Sequence, residues 1–177
     1  MRTVPTGDNR SRDVCKDCHV IHYSNPKLIT GCLPVRGKNI LLCKRSIEPR
    51  FGFWTLPSGY MEDGETAEEG AARETREESQ AEVDIERLFA IYSIPRISQV
   101  YLLFLARMNG DSFGPTEESS EVSLVSPEDI PWGELAFPAI EFALRQYVEY
   151  GTEHHRVFSG GYIGNKPPPQ EGLSHEA

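Results

Sequence analysis

The chain has 177 residues and a mass of 19.9 kDa, the size of one domain with room for a short appendage. Hydrophobic residues make up 38% and charged residues 25%, which excludes a disordered chain; no apolar run reaches the ~18 residues of a membrane span, and Met1–Arg12 lacks the apolar stretch of a signal peptide. The net charge of −9 argues against a general binder of nucleic-acid backbones, and without an export signal the expectation is a cytoplasmic protein whose four cysteines are reduced.

Met1–Asn25 is polar and reads as an irregular extension containing Cys15-Lys16-Asp17-Cys18. Leu28–Val35 and Asn39–Lys44 are apolar and partly β-branched around Arg36-Gly37-Lys38, a hairpin pattern. Phe51–Leu56 reads as a strand entering the turn Pro57-Ser58-Gly59, and Asp63-Gly64 marks a second turn. Thr66 and Glu69 fit a capping box, opening a helix that runs to Gln80. Val83–Ile94 and Gln99–Arg107 read as two strands broken at Pro95, and Glu121–Val125 as a short one after a Gly/Ser/Glu-rich loop. Leu135–Tyr150 has the apolar spacing of an amphipathic helix. From Gly151 the chain is less regular, and the Pro-rich end Pro167–Ala177 is expected to be disordered. Strands and helices interleave without a βαβ rhythm, so the fold class is α/β, a mixed sandwich rather than a doubly wound sheet. The expected organisation is an extension over 1–27, a catalytic domain over 28–150 and a C-terminal extension over 151–177.

The charge is unevenly placed. Residues 1–50 carry ten basic and four acidic side chains, whereas Glu62–Glu78 alone holds eight carboxylates against two arginines. Within that window Glu74, Glu77 and Glu78 stand at i, i+3 and i+4, on one helix face. Like charges at that spacing cost a few tenths of a kcal/mol per pair, and a cluster of hard oxygen donors suits Mg²⁺ or Mn²⁺. A solvated acidic face is the plainer reading of a Glu-rich helix, with Arg73 and Arg76 neutralising part of it.

The fixed context overturns that plainer reading. Gly59, Glu65, Arg73-Glu74 and Glu77-Glu78 follow the spacing G-x5-E-x7-R-E-U-x-E-E-x-G-U, where U is a bulky apolar residue. The chain thus resembles the Nudix hydrolases of nucleoside diphosphates linked to another moiety. Thr75 and Ala81 are small for U, and Gln80 replaces the late glycine. Stretches outside the box, among them Ile21–Lys27, Leu41–Arg45, Trp54–Pro57, Ile130–Trp132 and Leu135–Phe137, resemble the subgroup acting on ADP-ribose and FAD.

The resemblance implies an α/β/α sandwich around a mixed β-sheet, and hydrolysis of a diphosphate bridge. It also implies Mg²⁺ (or Mn²⁺) held by Glu74, Glu77 and Glu78 with the Gly59 carbonyl. Arg73 would orient a carboxylate from within the helix, and Glu65 would either join that network or complement the helix dipole. A downstream loop glutamate would orient the attacking water: Glu118 is preferred, then Glu121, with Glu117 also in range. Arg45 and Arg50 are candidate phosphate contacts, Phe53 or Trp54 a candidate base stacker, and Gln99 a candidate pocket residue. The expected partner is a small-molecule nucleotide, with no nucleic acid and no membrane; a homodimer is left open, as are NADH and nucleotide sugars as substrates. A nucleotide-sensing module that binds without cleaving is the alternative function, and a ribbon-based nucleic-acid binder a third.

Cys15-x2-Cys18 is half of a zinc ribbon, which needs four tetrahedral ligands. His19 and His22 would complete the number, but four ligands within eight residues crowd one tetrahedral site, and Cys32 and Cys43 fall in strands. The expectation is a degenerate ribbon without zinc.

Overall fold

The computed structural model describes residues 1–162. The first strands, β1 (Arg2–Thr3), β2 (Arg12–Val14) and β3 (Ile21–His22), form a small antiparallel sheet in the order β1-β2-β3. The extension is therefore more ordered than its composition suggested. Its strands are two or three residues long, too short to leave an alternation in the sequence.

The second sheet carries the core. The predicted hairpin is present as β4 (Lys27–Arg36) and β5 (Asn39–Arg45), turning at Gly37 with φ of 62°. The two strands pair only at Val35↔Ile40 and Arg36↔Asn39 and then splay apart. Short strands fill the gap: β6 (Trp54–Thr55) pairs with β5, and β7 (Ser58–Tyr60) pairs with β4. The strand read over Phe51–Leu56 thus shrinks to two residues, because the turn before it occupies Phe51 and Gly52. Helix α1 (Ala67–Ser79) follows, then β8 (Glu82–Ile94), a 3-10 turn at Pro95–Ile97, and β9 (Gln99–Asn109). After β10 (Ser119–Val125), helix α2 (Pro138–Tyr150) begins three residues later than its apolar pattern, since Pro138 suits only the first turn. Phe158–Gly161 forms β11, parallel to β8, where the sequence reading had no element. Two of its four residues are glycine, so it carries almost no strand propensity. The disorder expected over Pro167–Ala177 lies outside the described residues.

The main sheet runs β10-β5-β4-β9-β8-β11. Strands β4 and β9 pair in parallel from Lys27↔Gln99 to Val35↔Arg107, as do β8 and β11, while the β10–β5, β5–β4 and β9–β8 pairs are antiparallel. Alternation assigns the two faces. Leu33, Ile40, Leu42, Leu103 and Leu105 point to the side covered by Ala139, Ile140, Ala143 and Leu144 of α2. Cys32, Phe104 and Ala106 point to the side covered by Ala71 of α1. One helix on each face of a mixed sheet gives the expected α/β/α sandwich. No helix among the described residues is long and apolar enough to cross a membrane.

Candidate active site

Helix α1 starts as its sequence predicts. Glu69 N–H donates to Thr66 Oγ1 (3.2 Å), and Thr66 N–H donates to Glu69 Oε2 (2.8 Å), satisfying two donors that a helix start otherwise leaves open. The helix then lies on the sheet through small residues: Gly70 and Ala71 are buried, as are Thr75 and Ser79. A Cβ on Gly70 would sit 2.6 Å from Glu65 Oε1 and 2.8 Å from Thr30 Oγ1. Thr75, small for its position in the box, turns its hydroxyl onto the Ala71 carbonyl (2.8 Å) and is fully buried. Cys32 and Cys43 fill the same seam, with thiols directed at the carbonyls of Ala71 and Glu78, and burial pushes both thiols well above their ordinary value.

This closeness drives two carboxylates inward. Glu74 is 9% exposed and Glu78 5%. Glu78 Oε2 accepts from the Ser58 backbone N–H (3.2 Å), and burial, with the charges of Glu74 and Glu118 adding to it, raises its pKa from 4.5 to about 8. Burial raises Glu74 as well, against the pull of Arg73. Gly59 lies directly over Glu74, and any Cβ there would overlap the carboxylate. The glycine is required by that approach.

Arg73 is the hub. Its guanidinium donates to Glu65 Oε2 (3.0 Å) and Oε1 (2.8 Å), to Glu74 Oε1 (2.8 Å), to Glu77 Oε2 (3.0 Å) and to the Tyr60 carbonyl (3.2 Å). Glu65 also accepts from Glu62 N–H (2.7 Å), and the Arg73 bonds foremost hold its carboxyl down near 2. Among the described residues no three of His, Cys, Asp or Glu converge on one point; Glu74 and Glu77 are drawn onto Arg73 instead. The donor set nevertheless suits a hard cation: all oxygen, with one buried carboxylate served by a single hydrogen bond.

The loop after β9 is fastened to the last carbonyls of α1. Gly114 N–H donates to Ser79 O (2.8 Å), Thr116 Oγ1 to Glu78 O (3.4 Å), and Gln80 Nε2 to Pro115 O (2.6 Å). The first two satisfy acceptors that a helix end leaves open, and all three fasten the loop that carries Glu118. Its charge is felt by both Glu74 and Glu78. Glu121 faces Lys44 instead (3.8 Å), and Glu117 offers its carbonyl to the Ser46 hydroxyl. Gln80 ends the helix with φ of 59°, the left-handed conformation that explains a glycine at that place in the box.

The candidate substrate contacts are dispersed. Arg45 is 8% exposed, donates from Nε to Pro49 O (2.8 Å), stacks over Phe137 and lowers the pKa of Glu78 by its charge. It faces the cluster from inside. Arg50 is exposed and stacks over Phe53, while Trp54 packs against the core. Gln99 Nε2 donates to Tyr60 Oη (3.0 Å), and the Lys27 ammonium lies 4.9 Å from the Tyr60 ring centre. Tyr60, half exposed beside Gly59, and Ser58 were missed by sequence reasoning. Both flank the box glycine, which was the signal available.

The NUDIX domain family profile matches residues 26–148, and the Nudix N-terminal zinc-ribbon profile matches residues 1–24. An ADP-ribose pyrophosphatase of Methanocaldococcus jannaschii is 29% identical over 132 residues, covering 72% of this chain and 76% of that protein. An NAD-capped RNA hydrolase NudC of Vibrio atlanticus is 31% identical over 136 residues, covering 72% of this chain and 49% of the relative. Among solved structures, a NUDIX hydrolase from Nitrosomonas europaea is 45% identical with a TM-score of 0.85, covering 92% of this chain and 94% of that one.

Proposed function

The chain belongs to the Nudix family and is a Nudix hydrolase of nucleoside diphosphate derivatives; from that premise we propose that it carries out magnesium-dependent hydrolysis of the diphosphate bridge of ADP-ribose or FAD, giving AMP and a phosphorylated product. The observation that carries this reading is the group of carboxylates beside Gly59, with Glu74 and Glu77 gathered on the Arg73 guanidinium and Glu78 buried on the Ser58 N–H. Glu74, Glu77, Glu78 and the Gly59 carbonyl would hold Mg²⁺ (or Mn²⁺), which when bound neutralises diphosphate charge and makes a bound water more acidic.

The chain's own residues supply the rest. Arg73 is a positioning residue: it orients Glu74 and Glu77 and is itself fixed by Glu65. Glu118 accepts a proton from the attacking water, on a loop held rigidly to the end of α1. Arg45 offsets the buried charge of Glu78. Tyr60, Gln99 and Lys27 line the approach next to Gly59, and Arg50 lies exposed on the loop before β6.

The identity of two relatives as an ADP-ribose pyrophosphatase and an NAD-capped RNA hydrolase supports a panel of ADP-ribose, FAD, NADH and nucleotide sugars. The expected result is AMP release from ADP-ribose or FAD with Mg²⁺ and none with EDTA. Tight ADP-ribose binding without product would instead establish a sensing module, a reading that the intact carboxylates count against.

A further inference from the structure

The segment between β9 and β10 ends in a tight turn built on one side chain. Thr116 N–H donates to Ser119 O (2.9 Å), and Thr116 Oγ1 accepts from the backbone N–H groups of Glu118 (3.2 Å) and Ser119 (3.2 Å). The same hydroxyl donates to the Glu78 carbonyl across 3.4 Å. A hydroxyl has one proton to give and two lone pairs to fill, so all three capacities are in use. From the other side, Ser46 N–H donates to Glu118 O (2.8 Å), and the Ser46 hydroxyl donates to Glu117 O. Both backbone polar groups of Glu118 are thereby held, the N–H by Thr116 and the carbonyl by Ser46.

Strand pairing does not supply this hold. Strand β10 meets β5 at Ser119↔Arg45, but the next pair is Glu121↔Lys44, which leaves Ser120 as an extra residue. Such a bulge interrupts the ladder, and Glu118 lies just outside it. Glu118 is itself exposed, and among the described residues its carboxylate makes no hydrogen bond or ion pair. Its place is therefore set through its backbone, and the Thr116 hydroxyl is the atom that joins that backbone to the last turn of α1. A threonine closes a turn of this kind because its oxygen reaches N–H groups two and three residues on.

We propose that Thr116 is a positioning residue: its hydroxyl fixes the distance between Glu118 and the carboxylate-bearing end of α1. This rests on the reading of Glu118 as the group that takes a proton from the attacking water. The hydroxyl touches no reacting atom; it acts by holding one reacting side against the other, and a small misplacement between them is costly.

The test compares Thr116→Val, which keeps the shape and loses the hydroxyl, with Thr116→Ser, which keeps the hydroxyl. Amide exchange at Glu118 and Ser119 is followed by NMR without metal or substrate, with the β4 amides as reference for the folded sheet. AMP release from ADP-ribose with Mg²⁺ gives kcat and KM. In Thr116→Val both amides should exchange at least about tenfold faster. Its kcat should fall about ten- to a hundredfold, with KM within about twofold of wild type. Thr116→Ser should recover most of the lost kcat. Glu118→Gln should itself be slower by about a hundredfold or more, and adding Thr116→Val to it should change kcat by less than about twofold, because the hydroxyl acts through Glu118. Unchanged exchange at Glu118 overturns the proposal, as does a loss of kcat that multiplies with that of Glu118→Gln. Glu118→Gln with wild-type kcat refutes the proton-acceptor assignment and the proposal with it. Failure of the hydrolase reading shows separately, as wild-type protein that releases no AMP, and the exchange arm then decides alone whether Thr116 holds Glu118.

Discussion

Replacing Glu78 with glutamine should make the metal-free protein more stable while removing its catalysis. The folded state holds this carboxyl at about 8 against an ordinary 4.5, because it is 5% exposed with one backbone N–H as partner. A group whose pKa is raised by folding binds more protons folded than unfolded, so its contribution to stability falls as pH rises. The loss begins near pH 4.5 and is complete near pH 8. At pH 7 the roughly two and a half units of titration, at about 1.4 kcal/mol each, amount to about 3 kcal/mol. Glutamine keeps an oxygen for the Ser58 N–H and carries no charge, so in EDTA Glu78→Gln should exceed wild type by up to about 3 kcal/mol at pH 7. The difference should shrink to under about 1 kcal/mol at pH 5. Mg²⁺ should raise the wild-type midpoint and leave the variant unmoved. Urea unfolding followed by the fluorescence of Trp54 and Trp132, both packed against the core, reads the midpoints at each pH. A stability difference independent of pH, or a variant less stable than wild type at pH 7, would refute the argument that burial strains this carboxylate.

Three further outcomes follow from named contacts. Glu77→Gln should fold with wild-type stability, since its side chain is 55% exposed, yet lose most AMP release from the preferred substrate; wild-type turnover would remove Glu77 from the metal set. Arg73→Ala should cost about 1–3 kcal/mol and lower kcat more than KM, because it frees Glu65, Glu74 and Glu77 together; Arg73→Lys, which cannot span all three, should rescue little. Gln80→Gly should change stability by less than about 1 kcal/mol, since relief of the left-handed backbone offsets the lost bond to Pro115. Amide exchange in the Gly114–Glu118 loop should nevertheless quicken, and unchanged exchange would show that Gln80 does not hold the loop.

What could be read in the chain divides by the range of the interaction. The capping box, the carboxylate face of α1 and the hairpin before it depend on residues within four positions of one another, and all three are present. The box also identified the family, because its spacing records which side chains share a helical face. The splay of β4 and β5, which seats Gly59 over Glu74, depends on pairings with β6 and β7 that no local pattern announces. Strand β11 exists because β8 offers it an edge. Among the three loop glutamates the sequence had no means of choosing; the preference for Glu118 acquires a physical basis only from the bonds tying its loop to Ser79, Glu78 and Gln80.

One departure from the box, Thr75, has a physical sense in the packing of the helix. A helix with bulky apolar residues on its inner face would stand farther from the sheet and leave Glu74 and Glu78 in water. Here Gly70, Ala71, Thr75 and Ser79 bring it close, and Thr75 and Ser79 spend their hydroxyls on their own helix's carbonyls. The same approach that weakens the apolar contact of α1 with the sheet is what buries the two carboxylates. On the proposed function, a cation at Glu78 would compensate a carboxylate that folding desolvates, so its affinity would be drawn from the stability of the fold itself. The acidic excess of Glu62–Glu78 is thus distributed by depth: Arg73 favours the ionised form of Glu65, Glu77 is open to solvent, and burial favours the protonated form of Glu78.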